Sequence, residues 1–281
     1  MRAAKRYTAH WKGLNHGYRS AFNFKKYPRQ AGGVFISMNL LLSLNKTVEG
    51  ILQLIYPPLC LVCQTTIEHR IEGMDICQNC LQSLTIIPPD FATENILNRL
   101  DPCFLDNLII CFAFNDTLQV LIHQIKYGKF QRLSESLAKF ACLECQKMTP
   151  AEEIDLIIPV PLHRIREKER GFNQSLGISR GFFEPIRDRI RTDLLLRLRE
   201  TRTQTELNRD ERIINVREAF ETVKPAELYD RKIMLVDDVV TTGSTLNECA
   251  RVLKNAGVVS VEALALATPV FGEKQDQFTL S

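Results

Sequence analysis

The sequence predicts an α/β fold, with a mostly parallel sheet flanked by helices and a small cysteine-rich module in front of it. From residue 104 onward, apolar runs typical of buried strands alternate with amphipathic helical patterns. This alternation indicates β-α-β units, which build parallel sheets. Two closely spaced cysteine pairs precede it. The 281 residues suffice for one sizeable domain and one small one.

The apolar periodicity places the elements along the chain. We expect strands at 104–114, 154–160, 193–198, 233–236 and 258–267, and helices at 39–56, 116–127, 133–147, 173–189 and 246–255. No window holds the roughly 18 uninterrupted apolar residues of a membrane span. We therefore do not expect an integral membrane protein.

The chain is expected to divide into a basic extension (1–37), an amphipathic helix with the cysteine module (38–89), the α/β domain (100–270) and a tail (271–281). The extension carries eight lysine or arginine residues and no acidic one, which leaves 28 basic against 33 acidic side chains elsewhere. The domain is therefore no general binder of polyanions. The extension is a basic arm for nucleic acid or lipid, an organellar presequence, or a stretch upstream of a natural start at Met38. The helical pattern that begins after Met38 favours the last interpretation.

Four cysteines predict a zinc site. Cys60 and Cys63 form one C-x2-C pair, and Cys77 and Cys80 form a second, with thirteen residues between the pairs. Two such turns supply the four soft donors of a tetrahedral Zn²⁺ site, and four thiolates leave no open coordination position. We predict structural zinc; the alternative is a chance collection of buried cysteines.

The other five cysteines are expected to be core residues. Cys142 and Cys145 lie one helical turn apart and have no second pair. Cys103, Cys111 and Cys249 are interpreted as small buried apolar residues. Nine cysteines without a secretory signal favour a reducing compartment, and we expect a cytoplasmic protein.

A candidate phosphate-binding loop lies in the stretch VDDVVTTGST (236–245), which connects a predicted strand to a predicted helix. Its backbone N–H groups, its hydroxyls and the helix N-terminus suit a phosphate monoester. We expect Gly243 to let the backbone approach the phosphate without an intervening Cβ. The candidate binding residues are Thr241, Thr242, Gly243, Ser244 and Thr245.

The carboxylates of Asp237 and Asp238 precede this loop and are the candidate catalytic residues. At the end of a strand they can accept hydrogen bonds from vicinal sugar hydroxyls and help to hold Mg²⁺. The alternative is that both are solvated and that Thr245 and Glu248 form a helix capping box. The stretch 233–245 resembles, at every expected position, the phosphoribosyl diphosphate (PRPP) binding motif of type I phosphoribosyltransferases.

Basic side chains follow the strand predicted at 154–160. His163, Arg164 and Arg166 lie in what we expect to be a loop facing the same crevice, where they would neutralise a pyrophosphate group. Interleaved glutamates leave open the alternative of a solvated charged turn. Lys126 is expected either to reach bound phosphates or to act as a helix C-terminal dipole partner, with Gly128 as a left-handed cap.

Together, several short motifs resemble the ComF family over residues 38 to about 270. They are the four-cysteine segment and the stretches IKYG, VPLHR, RGFNQ, TRTQ and VDDVVTTGST. The resemblance implies a type I phosphoribosyltransferase fold with an N-terminal zinc finger. It also implies that residues 161–174 contact pyrophosphate and that 199–216 form a flexible loop; on the residues alone, the latter is either a lid or an exposed helix and loop. The candidate set thereby extends to Arg170, Asn173, Gln174, Arg202 and Gln204.

Two functions are compatible with these features. In the first, the protein transfers phosphoribosyl from Mg²⁺-PRPP to an acceptor that the sequence does not identify. In the second, it senses PRPP without turnover and binds single-stranded DNA through its basic segments, with Phe172 available for base stacking. The resemblance implies a role in natural competence, the handling of incoming single-stranded DNA by the DNA-uptake machinery on the cytoplasmic side of the membrane.

Overall fold

The computed structural model describes residues 57–67, 74–128, 130–145, 153–199 and 218–269, all within one compact unit that begins at Pro57. Several predictions lie outside the described residues. They are the basic extension, the helix at 39–56, the tail, and the 200–216 part of the expected loop with Arg202 and Gln204.

Seven strands are described. They are β1 (Thr85–Ile86), β2 (Asn107–Ala113), β3 (Leu156–Pro159), β4 (Leu195–Arg197), β5 (Phe220–Thr222), β6 (Lys232–Val239) and β7 (Ser260–Thr268). A five-stranded sheet has the order β1-β2-β7-β6-β3, and only β1 is antiparallel to its neighbour. The predicted mostly parallel sheet is therefore confirmed. The strand expected at 193–198 forms as β4, but it pairs antiparallel with β5 in a separate two-stranded sheet.

Eight α-helices are described. They are α1 (Gln78–Gln82), α2 (Phe91–Asn95), α3 (Asp116–Tyr127), α4 (Gln131–Cys145), α5 (Arg164–Arg170), α6 (Gln174–Phe182), α7 (Pro225–Leu228) and α8 (Ser244–Asn255). Of these, α3, α4, α6 and α8 lie where helices were predicted. The helix expected at 173–189 ends earlier, at Phe182, and a 3-10 segment, Glu184–Arg189, follows. Pro185 explains this, because a proline inside a helix removes a hydrogen bond and clashes with the preceding turn.

The sheet is covered on both faces. In β6, Met234 and Val236 face one hydrophobic core, whereas Ile233 and Leu235 face the other. This is the two-residue period of a strand buried on both sides. Helices α3, α4 and α6 pack on the first face, and α8 packs with β4 and β5 on the second. Residues of the cysteine module, among them Ile76, belong to the first core, so this module is not built around a separate core.

Helices α4 and α6 pack closely at two glycines. A Cβ on Gly181 would lie 2.0 Å from the backbone oxygen of Glu135, and a Cβ on Gly177 would lie 2.0 Å from the Ser134 hydroxyl oxygen. A hydroxyl can rotate away, but a helix backbone cannot move without displacing the helix.

We therefore predict that Gly181→Ala lowers the free energy of unfolding by about 2 kcal/mol or more, as overpacking of a core does. Gly177→Ala is the matched control and should cost less. Urea unfolding followed by circular dichroism measures both. Equal effects of the two substitutions would contradict this account of the helix contact.

Candidate functional site

An open concavity lies where β6 ends and α8 begins. The first N–H groups of a helix have no intrahelical partner and carry partial positive charge, so this place suits an anion. The predicted loop and part of the predicted acidic pair line it together: Asp237, Val239, Val240, Thr241, Thr242, Gly243, Ser244, Thr245 and Leu246.

Short polar contacts order the loop. The Thr242 Oγ1 and Ser244 Oγ atoms are 2.8 Å apart, and the Ser244 N–H lies 3.4 Å from Thr242 Oγ1. Gly243 stands at the N-cap position of α8 with a left-handed φ of 78°. The loop thus presents hydroxyls and backbone N–H groups on one side of a tight turn.

The interpretation of Gly243 needs correction. A Cβ at this position would lie 2.7 Å from Ile96 Cγ2 and 3.4 Å from Leu100 Cδ1. Glycine is therefore required by the left-handed backbone and by apolar packing against the chain before β2, and not by room for a phosphate. Asn247 of α8 holds that chain as well, since its Oδ1 accepts from the Phe104 N–H at 2.7 Å.

The alternative capping box does not form. Helix α8 begins at Ser244, so Thr245 lies inside the helix and is not its N-cap. The Glu248 carboxylate instead accepts from the Glu218 N–H at 2.7 Å and from Arg251 at 2.8 Å.

The acidic pair is held by hydrogen bonds and is not simply solvated. Asp237 Oδ1 accepts from the Asp238 N–H at 2.9 Å and from the Ser175 hydroxyl at 3.2 Å. Asp238 Oδ1 accepts from the Val239 N–H at 2.7 Å, and its Oδ2 lies 2.8 Å from Lys126 Nζ. Burial, and then the charge of Asp238, raise the pKa of Asp237 to about 7. Burial acts in the same direction on Asp238, but Lys126 outweighs it and lowers the pKa of that carboxyl.

The raised pKa of Asp237 predicts a pH dependence of stability. An unfolded aspartate titrates near pH 4. Between about pH 4 and pH 7, the folded protein therefore binds a proton that the unfolded chain has lost, and stability falls as the pH rises through this window. We expect Asp237→Asn to remove this fall and to raise the free energy of unfolding of the ligand-free protein at pH 8 by about 2 kcal/mol.

Urea unfolding at pH 5 and pH 8 checks this prediction. Asp238→Asn is the control, because it breaks the ion pair with Lys126 and should lower stability at pH 8. If Asp237→Asn lowered the free energy of unfolding at pH 8, the result would contradict the raised pKa of the Asp237 carboxyl.

Lys126 lies beside the acidic pair, although it is far from it in the sequence. It is the basic residue in the last turn of α3, and its side chain is 22% exposed. Gly128 has a right-handed φ of −80°, so the expected left-handed cap is wrong. The position of Lys126 is compatible with contacts to phosphates, which remain a prediction.

The expected basic loop is largely helical. Arg164 and Arg166 lie on α5, and Arg166 pairs with Glu169 at 3.3 Å. Favourable i,i+3 ion pairs support such a short charged helix. His163 precedes the helix, and its Nδ1 is buried without a hydrogen-bond partner among the described residues. A pyrophosphate contact of these residues stays a prediction.

The RGFNQ stretch (170–174) forms a turn that side-chain hydrogen bonds hold in place. Asn173 caps α6 by accepting from the Ser175 N–H at 3.0 Å and donates to the Val160 carbonyl at 3.0 Å. Arg170 Nη1 donates to Gln174 Oε1 at 2.8 Å. Phe172 packs against the first hydrophobic core, so the idea that it is available for base stacking is not supported.

Sequence reasoning missed two polar residues at the site. Ser175 bonds to Asp237, and Arg197 of β4 places its guanidinium carbon 5.3 Å from the centroid of the Phe220 ring. Burial lowers the pKa of Arg197, and the charges acting on it include those of Asp237 and Arg170. An arginine inside an otherwise apolar strand is the only signal that could have drawn attention to it.

The four module cysteines form one cluster. Their sulfur atoms all lie within 4.8 Å of one another, and those of Cys63 and Cys77 are 3.5 Å apart. Zn–S bonds of about 2.3 Å in a tetrahedron place the sulfurs about 3.8 Å apart. The Cys77 N–H points to the Cys60 sulfur at 3.3 Å. Donor type and spacing therefore fit Zn²⁺, and the described residues hold no second cluster of this kind.

The remaining cysteines mostly match the expectation. Cys111, Cys145 and Cys249 are buried, and Cys142 is half-buried. Cys103 is exposed, which corrects its assignment to the core. It lies in the connection before β2, outside both packed faces. Within the described residues, no helix combines the length and apolarity that crossing a bilayer requires.

Comparison with known proteins agrees with this architecture. Residues 148–279 match the phosphoribosyl transferase domain. Competence protein F of Haemophilus influenzae is 29% identical over 215 residues, covering 74% of this chain and 90% of its own. DNA utilization protein YhgH of Escherichia coli K12 is 28% identical over 227 residues, covering 78% and 97%. Competence protein ComFC of Streptococcus pneumoniae is 29% identical over 155 residues, covering 55% and 65%.

The fold and the matched domain define the class, a protein with the phosphoribosyltransferase fold. Within that class, the similarity to competence and DNA-utilization proteins supports a ComF-family protein. The matched domain contains β6, its acidic pair and the loop, whereas Lys126 and the cysteine cluster lie before it.

Proposed function

We propose that the protein binds Mg²⁺-PRPP in the concavity between β6 and α8. The loop at 241–245 receives the 5-phosphate, and Asp237 and Asp238 receive the ribose hydroxyls. The observation that carries this proposal is the direct continuity of a half-buried, hydrogen-bonded acidic pair with an anion cradle at a helix N-terminus. A pentose bearing a phosphate matches both parts at once.

The pyrophosphate group of the ligand is assigned to the basic side of the site. His163, Arg164, Arg166 and Arg170 follow β3, which pairs with β6. The carboxylates of the acidic pair are suitable oxygen ligands for Mg²⁺, which would neutralise charge on the pyrophosphate. Lys126 adds a further cation next to Asp238.

The reaction that this arrangement supports is phosphoribosyl transfer. The C1–O bond to pyrophosphate breaks with its electron pair going to pyrophosphate, and a nucleophilic acceptor forms the new bond to C1. Positive side chains stabilise the charge that grows on the leaving pyrophosphate. The acidic pair orients the ribose, which fixes C1 between the leaving group and the acceptor.

Isothermal titration calorimetry with Mg²⁺-PRPP tests the binding proposal. We expect wild-type binding and a loss of affinity of about a hundredfold in the Asp237→Asn/Asp238→Asn protein, which loses charged hydrogen-bond acceptors. The matched control is Asp193→Asn, an exposed carboxylate paired with Arg191 and Lys224. No wild-type binding would contradict the proposal. Pyrophosphate release in the presence of candidate acceptors then tests catalysis.

We assign this activity to DNA uptake or utilization in the cytoplasm. The names of the relatives support the process, and nine free cysteines support a reducing compartment. Transformation of a deletion strain should be restored by the wild-type gene and not by the Asp237→Asn/Asp238→Asn gene. Direct binding of single-stranded DNA is a separate prediction, and the absence of a shift of labelled strands at low salt would contradict it.

A further inference from the structure

We propose that Gln174 is a positioning residue, which holds Arg170 so that its undiminished positive charge faces the diphosphate of a ligand bound at the acidic pair. This inference rests on the proposed function and deepens it, because it names the residue that orients one arginine of the pyrophosphate side. Gln174 itself is then not a ligand contact.

Both polar atoms of the Gln174 side-chain amide form hydrogen bonds within the protein. The residue is 1% exposed, its Oε1 accepts from Arg170 Nη1 at 2.8 Å, and its Nε2 donates to the Phe172 carbonyl at 3.2 Å. Helix α5 ends at Gly171 with a left-handed φ of 80°, which turns the chain so that Arg170 and Gln174 meet. Burying an amide is costly unless its polar atoms are bonded, so the fold holds this side chain in one orientation.

The partner of Arg170 is neutral, which distinguishes it from Arg191 and Arg251. Arg191 and Arg251 bind carboxylates in bidentate or near-bidentate fashion. Among the described residues, no carboxylate lies within ion-pair distance of Arg170. An arginine fixed by an amide is ordered without being neutralised, which is the requirement for a preorganised anion site.

The hydrogen bonds of the two residues next to Gln174 place Arg170 near the proposed ligand site. Asn173 bonds to the Val160 carbonyl at the end of β3, and Ser175 bonds to Asp237 at the end of β6. Gln174 therefore lies between two residues that bridge the ends of adjacent parallel strands.

Calorimetry with two ligands tests the inference. Mg²⁺-PRPP carries the diphosphate, and ribose 5-phosphate lacks it. We expect Gln174→Met and Arg170→Gln to weaken PRPP binding about tenfold or more while leaving ribose 5-phosphate affinity within about twofold. Gln174→Glu should do the same, because the new carboxylate keeps the contact but neutralises Arg170. Lys139→Gln, which changes an exposed cation of α4 paired with Glu184, is the control and should change neither affinity.

The double variant Arg170→Gln/Gln174→Met separates positioning from other roles. It should bind PRPP no more weakly than Arg170→Gln alone, because Gln174 acts through Arg170. Equal losses for both ligands in Gln174→Met, or additive losses in the double variant, would overturn the inference while leaving the proposed function intact. A wild-type protein that binds ribose 5-phosphate but not PRPP would contradict the proposed function together with the inference. A wild-type protein that binds neither ligand contradicts the proposed function itself.

Discussion

Replacing Gly243 by alanine is expected to weaken Mg²⁺-PRPP binding by about ten- to a hundredfold. A side chain in the left-handed region costs roughly 1–2 kcal/mol per residue. At this position the new Cβ also meets Ile96 Cγ2 at 2.7 Å, and Ile96 is 4% exposed, so it has little room to move. The strain is relieved when the loop leaves its observed shape, and the cradle for the phosphate is then lost. Calorimetry of the variant measures the effect.

Gly257 offers a matched control for this substitution. It also has a left-handed φ, 88°, and a Cβ there would lie 2.6 Å from the Tyr229 ring. Tyr229 is 71% exposed, so its ring can move aside, and the position is outside the concavity. Gly257→Ala should lower the free energy of unfolding by about 1 kcal/mol without changing ligand affinity. A Gly243→Ala protein that binds PRPP as the wild type does would show that the loop is not the phosphate site.

The parts of the site that are continuous in the sequence were predictable. Strand β6, the loop and α8 follow one another without interruption, so apolar periodicity and the residue types of the loop locate them together. The helix expected at 116–127 has the observed bounds of α3, because Asn115 caps it and accepts from the Leu118 N–H. The cysteine cluster was likewise recognisable from two local spacings.

Contacts between distant segments were not predictable from one sequence. The ion pair of Lys126 with Asp238 and the hydrogen bond from Ser175 to Asp237 depend on how α3 and α6 pack on the sheet. Periodicity shows which face of a helix is buried, but it does not show what that face touches. Arg197 was missed for the same reason, since its strand lies outside the main sheet.

The charged segment after β3 shows a different limit. Its alternating arginines and glutamates have no apolar period, so they resemble a solvated loop. The observed helix α5 is supported by ion pairing between Arg166 and Glu169 and by the left-handed Gly171 at its end. Neither feature leaves a hydrophobic pattern in the sequence.

We predict that the four-cysteine cluster binds zinc and that removing the metal destabilises the domain by on the order of 5 kcal/mol, because the binding free energy of a structural zinc is folding free energy. The module shares the first hydrophobic core, and Cys60 itself is fully buried. Without a metal, four sulfurs within 4.8 Å of one another cannot all be thiolates. Urea unfolding with and without a chelator, and in Cys60→Ser, measures the loss.

Cys103→Ser is the control for this prediction, since Cys103 is exposed and outside the cluster. It should leave stability and metal content unchanged. Atomic absorption should find one zinc per wild-type chain and less in Cys60→Ser. A purified protein without zinc, whose unfolding is insensitive to the chelator, would contradict the structural assignment.

Loss of the metal should also weaken ligand binding, because α3 connects the cysteine module to the ligand site. Cys77 is the N-cap of α1, and Ser83 directly follows this helix. The Ser83 carbonyl accepts from the Asn115 amide at 2.7 Å, and the Ser83 hydroxyl lies 2.8 Å from the Thr117 hydroxyl. Asn115 caps α3, whose last turn carries Lys126 against Asp238. A chelated protein that remains folded should therefore bind Mg²⁺-PRPP more weakly than the zinc form. Ser83→Ala removes the hydroxyl contacts with Thr117 and with the Cys80 carbonyl but keeps the backbone contact with Asn115, so it should keep its zinc and show a smaller change.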